Sequence, residues 1–186
     1  DVTQPLIVML HYGGQASGFY GRALLEQLVS PALESLGAII VAPVSLAGDW
    51  TNPDNERAVF ELLAVIESNY LTNPKRRLIC GYSMGGVGTW HMIGQRQDYF
   101  SAAISISGFK LIDAQNCKTP IFALHSKADS LFSADQLQDG IDALAAAGRD
   151  VAVEFIDDVD HYNIPAFMPL LKASVPWLLN RWGRIS

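Results

Sequence analysis

The chain has 186 residues, 49% of them apolar, with 13 Lys and Arg against 19 Asp and Glu for a formal net charge of −6. That length suits one domain around one sizeable core rather than two. The scattered basic residues exclude nucleic acid and anionic membranes as expected partners, because both need clustered cations, and no apolar stretch reaches transmembrane length.

Taken in chain order, two patterns alternate. Short β-branched apolar runs predict strands over 5–11, 37–43, 76–82, 101–107, 119–125 and 151–157. Segments of helical period lie between and after them. The first spans 19–36, with a break expected near Pro31. The second spans 52–71, with Pro53 where a first helical turn tolerates proline. The third spans 84–97. The fourth spans 133–148, with Ser133 as N-cap and Gly148 at its end. The last, 163–183, holds Pro165, Pro169 and Pro176 and reads as two short helices. Lys75-Arg76-Arg77 reads as a solvated turn before the third strand. This order predicts an α/β/α sandwich, a mostly parallel doubly wound sheet of about six strands in one domain over 1–186.

In such sheets ligands bind beyond the carboxyl ends of the strands. Strand one ends in His11-Tyr12-Gly13-Gly14, and strand three ends in Gly81-Tyr82-Ser83-Met84-Gly85. Strand five ends in His125-Ser126-Lys127-Ala128-Asp129, and strand six in a loop carrying Asp157, Asp158, Asp160 and His161. A Ser, an Asp and a His thus arrive in the chain order of an α/β-hydrolase triad. The residue types suit that chemistry. A neutral imidazole takes the proton of the hydroxyl as it attacks. A carboxylate on the far ring nitrogen fixes the tautomer and stabilises the imidazolium. The Gly-x-Ser-x-Gly spacing sets the Ser on a strained strand-to-helix turn, with Gly81 and Gly85 where a Cβ would clash. Met84 N–H then sits at a helix N-terminus, placed to stabilise an oxyanion. A second donor is expected from Gly13 N–H, with Tyr12 N–H as the alternative. Alone the Gly-x-Ser-x-Gly spacing is weak; the strand before it, the helix after it and the later Asp and His give it weight.

Ser83, Asp129 and His161 are therefore the expected catalytic residues, with Asp157, Asp158 and Asp160 as loop carboxylates one of which is an alternative partner for the His. His11, His91 and His125 are expected to be structural, the first and last as braces for the loops that follow them. Trp90 reads as core. Trp50, in a loop after strand two, is expected to line an acyl or alcohol pocket. Cys80 should be buried and Cys117 lies in a loop; two cysteines make no disulfide framework and no zinc site. No His, Cys and carboxylate cluster has metal-ligand spacing, so neither metal nor other cofactor is expected. Asp1 in place of an initiator Met fits a processed or trimmed N-terminus, which keeps a secreted or periplasmic location open.

The stretches at 5–14, 80–90, 99–108, 119–129 and 158–162 resemble the α/β-hydrolase superfamily. More narrowly, they resemble its compact esterases related to polyhydroxybutyrate depolymerases, feruloyl esterases and dienelactone hydrolases. The likeness runs over nearly the whole chain. It implies a serine esterase on short-acyl or aryl carboxylic esters, free or polymer-linked. In it Ser83, Asp129 and His161 match the triad, and Met84 with Gly13 or Tyr12 matches the oxyanion hole. The chain departs from the family pattern in having Tyr12, not Gly, directly after His11, and in lacking a proline after Asp129. It also opens at what would be the third strand of the full fold, so a reduced or truncated version is expected. Only 108–118 separates the fourth predicted strand from the fifth, too little for a cap domain. An uncapped site favours water-borne or polymeric esters over lid-gated lipid. A serine peptidase or thioesterase would use the same residues, and a catalytically silent binding module is the third reading.

Overall fold

The computed structural model describes residues 3–15 and 17–183. Six strands form one sheet in the order β2-β1-β3-β4-β5-β6: β1 (Gln4–Leu10), β2 (Ile39–Val41), β3 (Thr72–Tyr82), β4 (Ala102–Ile106), β5 (Ile121–Ser126) and β6 (Val151–Ile156). Every neighbouring pair runs parallel. The expected three-layer, doubly wound α/β fold is present.

Alternation along the strands sorts the apolar side chains onto two faces. Leu6, Val8 and Leu10 of β1 join one core cluster, which α3 (Pro53–Asn69), α4 (Met84–Gln95) and α5 (Ala134–Ala146) cover. Ile7 and Met9 join the other. That face is covered by the helical stretch 22–36, α6 (Met168–Ala173) and α7 (Val175–Gly183). Both faces of the central strands are shut off from water, which is why these strands read as continuous apolar runs. Cys80 and Cys117 are both buried and free, on opposite faces.

Local chemistry explains the helix starts. The Asn52 side chain accepts a hydrogen bond from Asp54 N–H with Pro53 in the first turn of α3, and Ser133 caps α5 through Gln136 N–H. In the first helical stretch α1 (Arg22–Leu24) runs into a π turn over Leu25–Val29, and α2 (Ser30–Leu33) restarts with Pro31 near its beginning. The break thus falls one turn before the proline. Pro31 has no N–H to return to the preceding turn, and the wider π turn absorbs the lost bond.

One expectation is corrected. The Lys75-Arg76-Arg77 run does not form the expected turn, because β3 already begins at Thr72, ahead of the strand predicted over 76–82. The register against β1 jumps from Gln4↔Thr72 to Leu6↔Arg77, so the extra residues form a bulge. Asn73 accepts Lys75 N–H inside that bulge, and Lys75 and Arg76 stay in solvent.

The chain leaves β1 for β2 on one side and returns to β3 on the other. The crevice at a parallel sheet's switch point therefore opens beyond the ends of β1 and β3. Between β4 and β5 the chain makes only a short crossover with one 3₁₀ turn, Ala114–Asn116. No cap domain lies over the crevice among the described residues. No helix among them is long and apolar enough to cross a membrane.

Candidate active site

Ser83 stands between β3 and α4 with φ 56° and ψ −116°, a conformation that L residues avoid. Such backbone strain costs about 1–3 kcal/mol and persists only where neighbours enforce it. They do here. Ser83 N–H donates to Ile106 O at 2.8 Å, and Val87 N–H donates to Ser83 O at 3.0 Å. The turn is so tight that a Cβ on Gly81 would overlap the Gly85 carbonyl, and one on Gly85 would overlap the Leu10 carbonyl. That is the physical demand behind the two glycines.

The turn carries the Ser83 hydroxyl to 2.7 Å from His161 Nε2, and His161 Nδ1 lies 2.8 Å from Asp129 Oδ2. An ionised carboxylate can only accept, so Nδ1 holds the proton and Nε2 is free to accept from Ser83. The second oxygen, Asp129 Oδ1, accepts Leu131 N–H at 2.9 Å and Phe132 N–H at 3.0 Å. The Asp129 side chain is wholly buried and that of His161 is 3% exposed. Burial by itself would raise the Asp129 carboxyl; the His161 hydrogen bond and the two amides outweigh it and hold the group below its ordinary value.

Backbone carbonyls of the base loop are tied from below. Tyr82 Oη donates to His161 O at 2.7 Å, and Ser126 Oγ donates to Val159 O. His125 Nε2 donates to Phe132 O at 2.9 Å and so braces the acid loop. The neighbouring carboxylates serve elsewhere: Asp157 pairs with Lys127 at 2.9 Å, and Asp160 accepts Tyr162 N–H at 2.7 Å. Asp158 sits at φ 56° in the same loop. Asp129 alone meets the imidazole.

A groove of ≈ 470 Å³ opens over Ser83 and His161 and is lined by Tyr12, Gly13, Leu131, Tyr162 and Ile164, among others. Met84, as the first residue of α4, has an N–H without an intrahelical partner. Gly13 stands beside it: a Cβ there would lie 3.8 Å from the Met84 side chain. The structure thus gathers Ser83, Asp129, His161, Met84, Gly13 and Tyr12 at one place.

Trp50 is not with them, and its expected place in the pocket is corrected. It is 1% exposed and packs edge-on against the His11 ring at 4.9 Å. Gly88 leaves the space for it, since a Cβ at 88 would overlap the Trp50 side chain. A loop aromatic reads like a pocket wall in sequence; here its indole N–H donates to His11 O at 2.8 Å and its ring fills the space over Gly88. His11 and His125 brace loops, as expected. His91 bridges Glu56 at 3.2 Å and Lys110 at 3.3 Å. Trp90 is core. Sequence reasoning missed Tyr82 as a tether and Leu131, Tyr162 and Ile164 as groove walls. Their one available signal is adjacency to the Ser, Asp and His.

Chemically, the arrangement can pass a hydroxyl proton to a neutral imidazole whose far side is held by a carboxylate. Known proteins with a similar chain or fold can be compared with it. Over 93 residues the chain is 29% identical to Protein usf of Aquifex pyrophilus, a match covering 48% of this chain and 40% of that protein. The chain therefore spans well under two thirds of that curated relative's length. The solved structure of a thermostable esterase superposes with a TM-score of 0.77 at 19% identity, over 96% of this chain and 54% of that one. That of a ferulic acid esterase gives 0.74 at 18% identity, over 97% and 86%. At such identities these likenesses speak for the fold. Residues 47–167, a span that includes Ser83, Asp129 and His161, match the sequence model of the dienelactone hydrolase family, and the chain belongs to that family.

Proposed function

We propose that the chain is a serine hydrolase that cleaves carboxylic esters of short-acyl or aryl type through an acyl-enzyme on Ser83. The observation that carries this reading is the continuous hydrogen-bonded line from Ser83 Oγ through His161 to buried Asp129, set on a strained turn beneath an apolar groove. The esterase structures that share the fold support an ester over an amide.

Ser83 Oγ attacks the ester carbonyl carbon while its proton passes to His161 Nε2. The imidazolium keeps its Nδ1–H on Asp129, which stays ionised. The negative charge that develops on the carbonyl oxygen is met by Met84 N–H and by a second amide from the loop after β1. The C–O bond to the alcohol then breaks, and His161 gives its proton to the leaving alkoxide. Water repeats the sequence on the acyl-enzyme, releases the acid and restores Ser83. The groove walls Leu131, Tyr162 and Ile164 are apolar or aromatic, which suits an uncharged acyl or aryl group. The uncapped mouth leaves room for an ester that hangs from a larger molecule or polymer.

Labelling with a fluorophosphonate and mapping the modified peptide tests this directly. The expected result is one adduct on Ser83, absent after His161→Ala, and ester hydrolysis that falls by about 10⁴-fold or more in Ser83→Ala. Full hydrolysis by Ser83→Ala would overturn the reading.

A further inference from the structure

The turn after β1 is held by two buried rings that never reach the groove. His11 is 0% exposed and sits edge-on between Tyr20, at 4.8 Å, and Trp50, at 4.9 Å. Ser45 N–H donates to His11 Nε2 at 3.1 Å. A backbone N–H can only donate, so Nε2 carries no proton and Nδ1 does. That Nδ1–H donates to Tyr12 O at 2.7 Å. Burial lowers the His11 pKa more than this bond raises it, which favours the neutral ring. Trp50 Nε1–H donates to His11 O at 2.8 Å.

These bonds aim two amides. The described chain has no cis peptide, and in a trans peptide the C=O and the following N–H point in opposite directions. The carbonyl of His11 faces the first turn of α4, where a Cβ on Gly85 would come within 2.8 Å of it. Tyr12 N–H lies on the other side of that peptide, away from the Gly85 turn. The carbonyl of Tyr12 is drawn back onto the His11 ring, so Gly13 N–H points away from that ring. Gly13 is also the residue that packs against Met84.

We infer that His11 and Trp50 are positioning residues that hold Gly13 N–H, rather than Tyr12 N–H, as the second oxyanion donor beside Met84 N–H. The inference rests on the ester hydrolysis proposed above. Neither ring touches substrate. Each acts through one backbone carbonyl, and the effect is felt only when charge develops on the carbonyl oxygen of the substrate. Simple core residues would instead set stability and leave the balance of kcat and KM alone.

The test uses the whole chain. Trp50→Phe deletes one N–H and keeps a ring over Gly88. Its kcat should fall about tenfold with KM within about twofold, a fraction of the loss on removing a donor outright. Affinity for an aryl trifluoromethyl ketone should fall by the same factor, because its hemiketal oxyanion uses the same two amides. A second pair removes dependence on that one variant: His11→Asn keeps an amide N–H near the Nδ1 position, His11→Leu does not. His11→Asn should retain several-fold more kcat than His11→Leu. Unchanged kcat and ketone affinity in Trp50→Phe, or equal kcat in the two His11 variants, overturns the inference while wild-type hydrolysis leaves the underlying reading standing. A folded wild type that neither hydrolyses esters nor labels on Ser83 overturns both.

Discussion

The loops after β5 and β6 and the loop after β1 meet at one groove, yet each is organised around a different histidine. His161 and His11 share a tautomer: each donates from Nδ1 and accepts at Nε2. The partners differ. His161 lies between a carboxylate and a hydroxyl, both able to exchange or stabilise a proton during a reaction. His11 lies between a backbone carbonyl and a backbone amide, neither of which titrates. The first arrangement can move a proton; the second can only fix a backbone. Ring chemistry alone therefore does not assign a role to a buried histidine, and the acid–base character of its two neighbours does.

The sharpest way to break this comparison is Asp129→Asn. The amide would donate toward Nδ1, favour the other tautomer and leave Nε2 protonated and unable to accept from Ser83. Ester hydrolysis should fall by on the order of 10,000-fold, about a thousand times the loss expected for Trp50→Phe. Steady-state rates on one ester for both variants check this; comparable losses would mean the two histidines are not different in kind. Tyr82→Phe sharpens the comparison from below. It removes the hydroxyl that holds His161 O and leaves every group of the proton line in place. It should cost about 1 kcal/mol of stability and lower kcat only a few-fold, measured by urea unfolding beside kinetics.

The smallest effect is on the pH dependence of stability. Burial is the first cause that lowers the pKa of His11, His91 and His125, and Lys110 adds to it at His91. A histidine with a lowered folded value binds its proton more readily when unfolded. Stability from these groups is thus complete above the unfolded value, about 6.5, and is lost as pH falls through the folded values. Asp129 adds a second loss in the acid range, below about 4, because its folded value is depressed too. The urea midpoint should be flat above neutrality and decline from about pH 6.5 downward. A midpoint that holds level to pH 5 would show that the buried rings tolerate charge.

Local chemistry made much of this chain legible before any coordinates. Most strands are short apolar runs, and Ser133 marks the start of α5 as its N-cap. The order Ser83, Asp129, His161 follows from topology, because a parallel sheet delivers the end of every strand to one edge. The bulge at Lys75 and Arg76 was not legible, since register is a property of two strands and only one is read at a time. Trp50 was misplaced for a related reason: whether a loop aromatic faces solvent or core depends on what packs beneath it, here His11 and Gly88 from other elements. Apolar runs and helical period along the chain were enough for the alternation of elements and the two covered faces of the sheet, and the strand ends nominated Ser83, Asp129 and His161. Which carbonyls Tyr82 and Trp50 hold emerged only from packing, because a hydrogen bond between residues far apart in the chain leaves no periodicity or spacing to read.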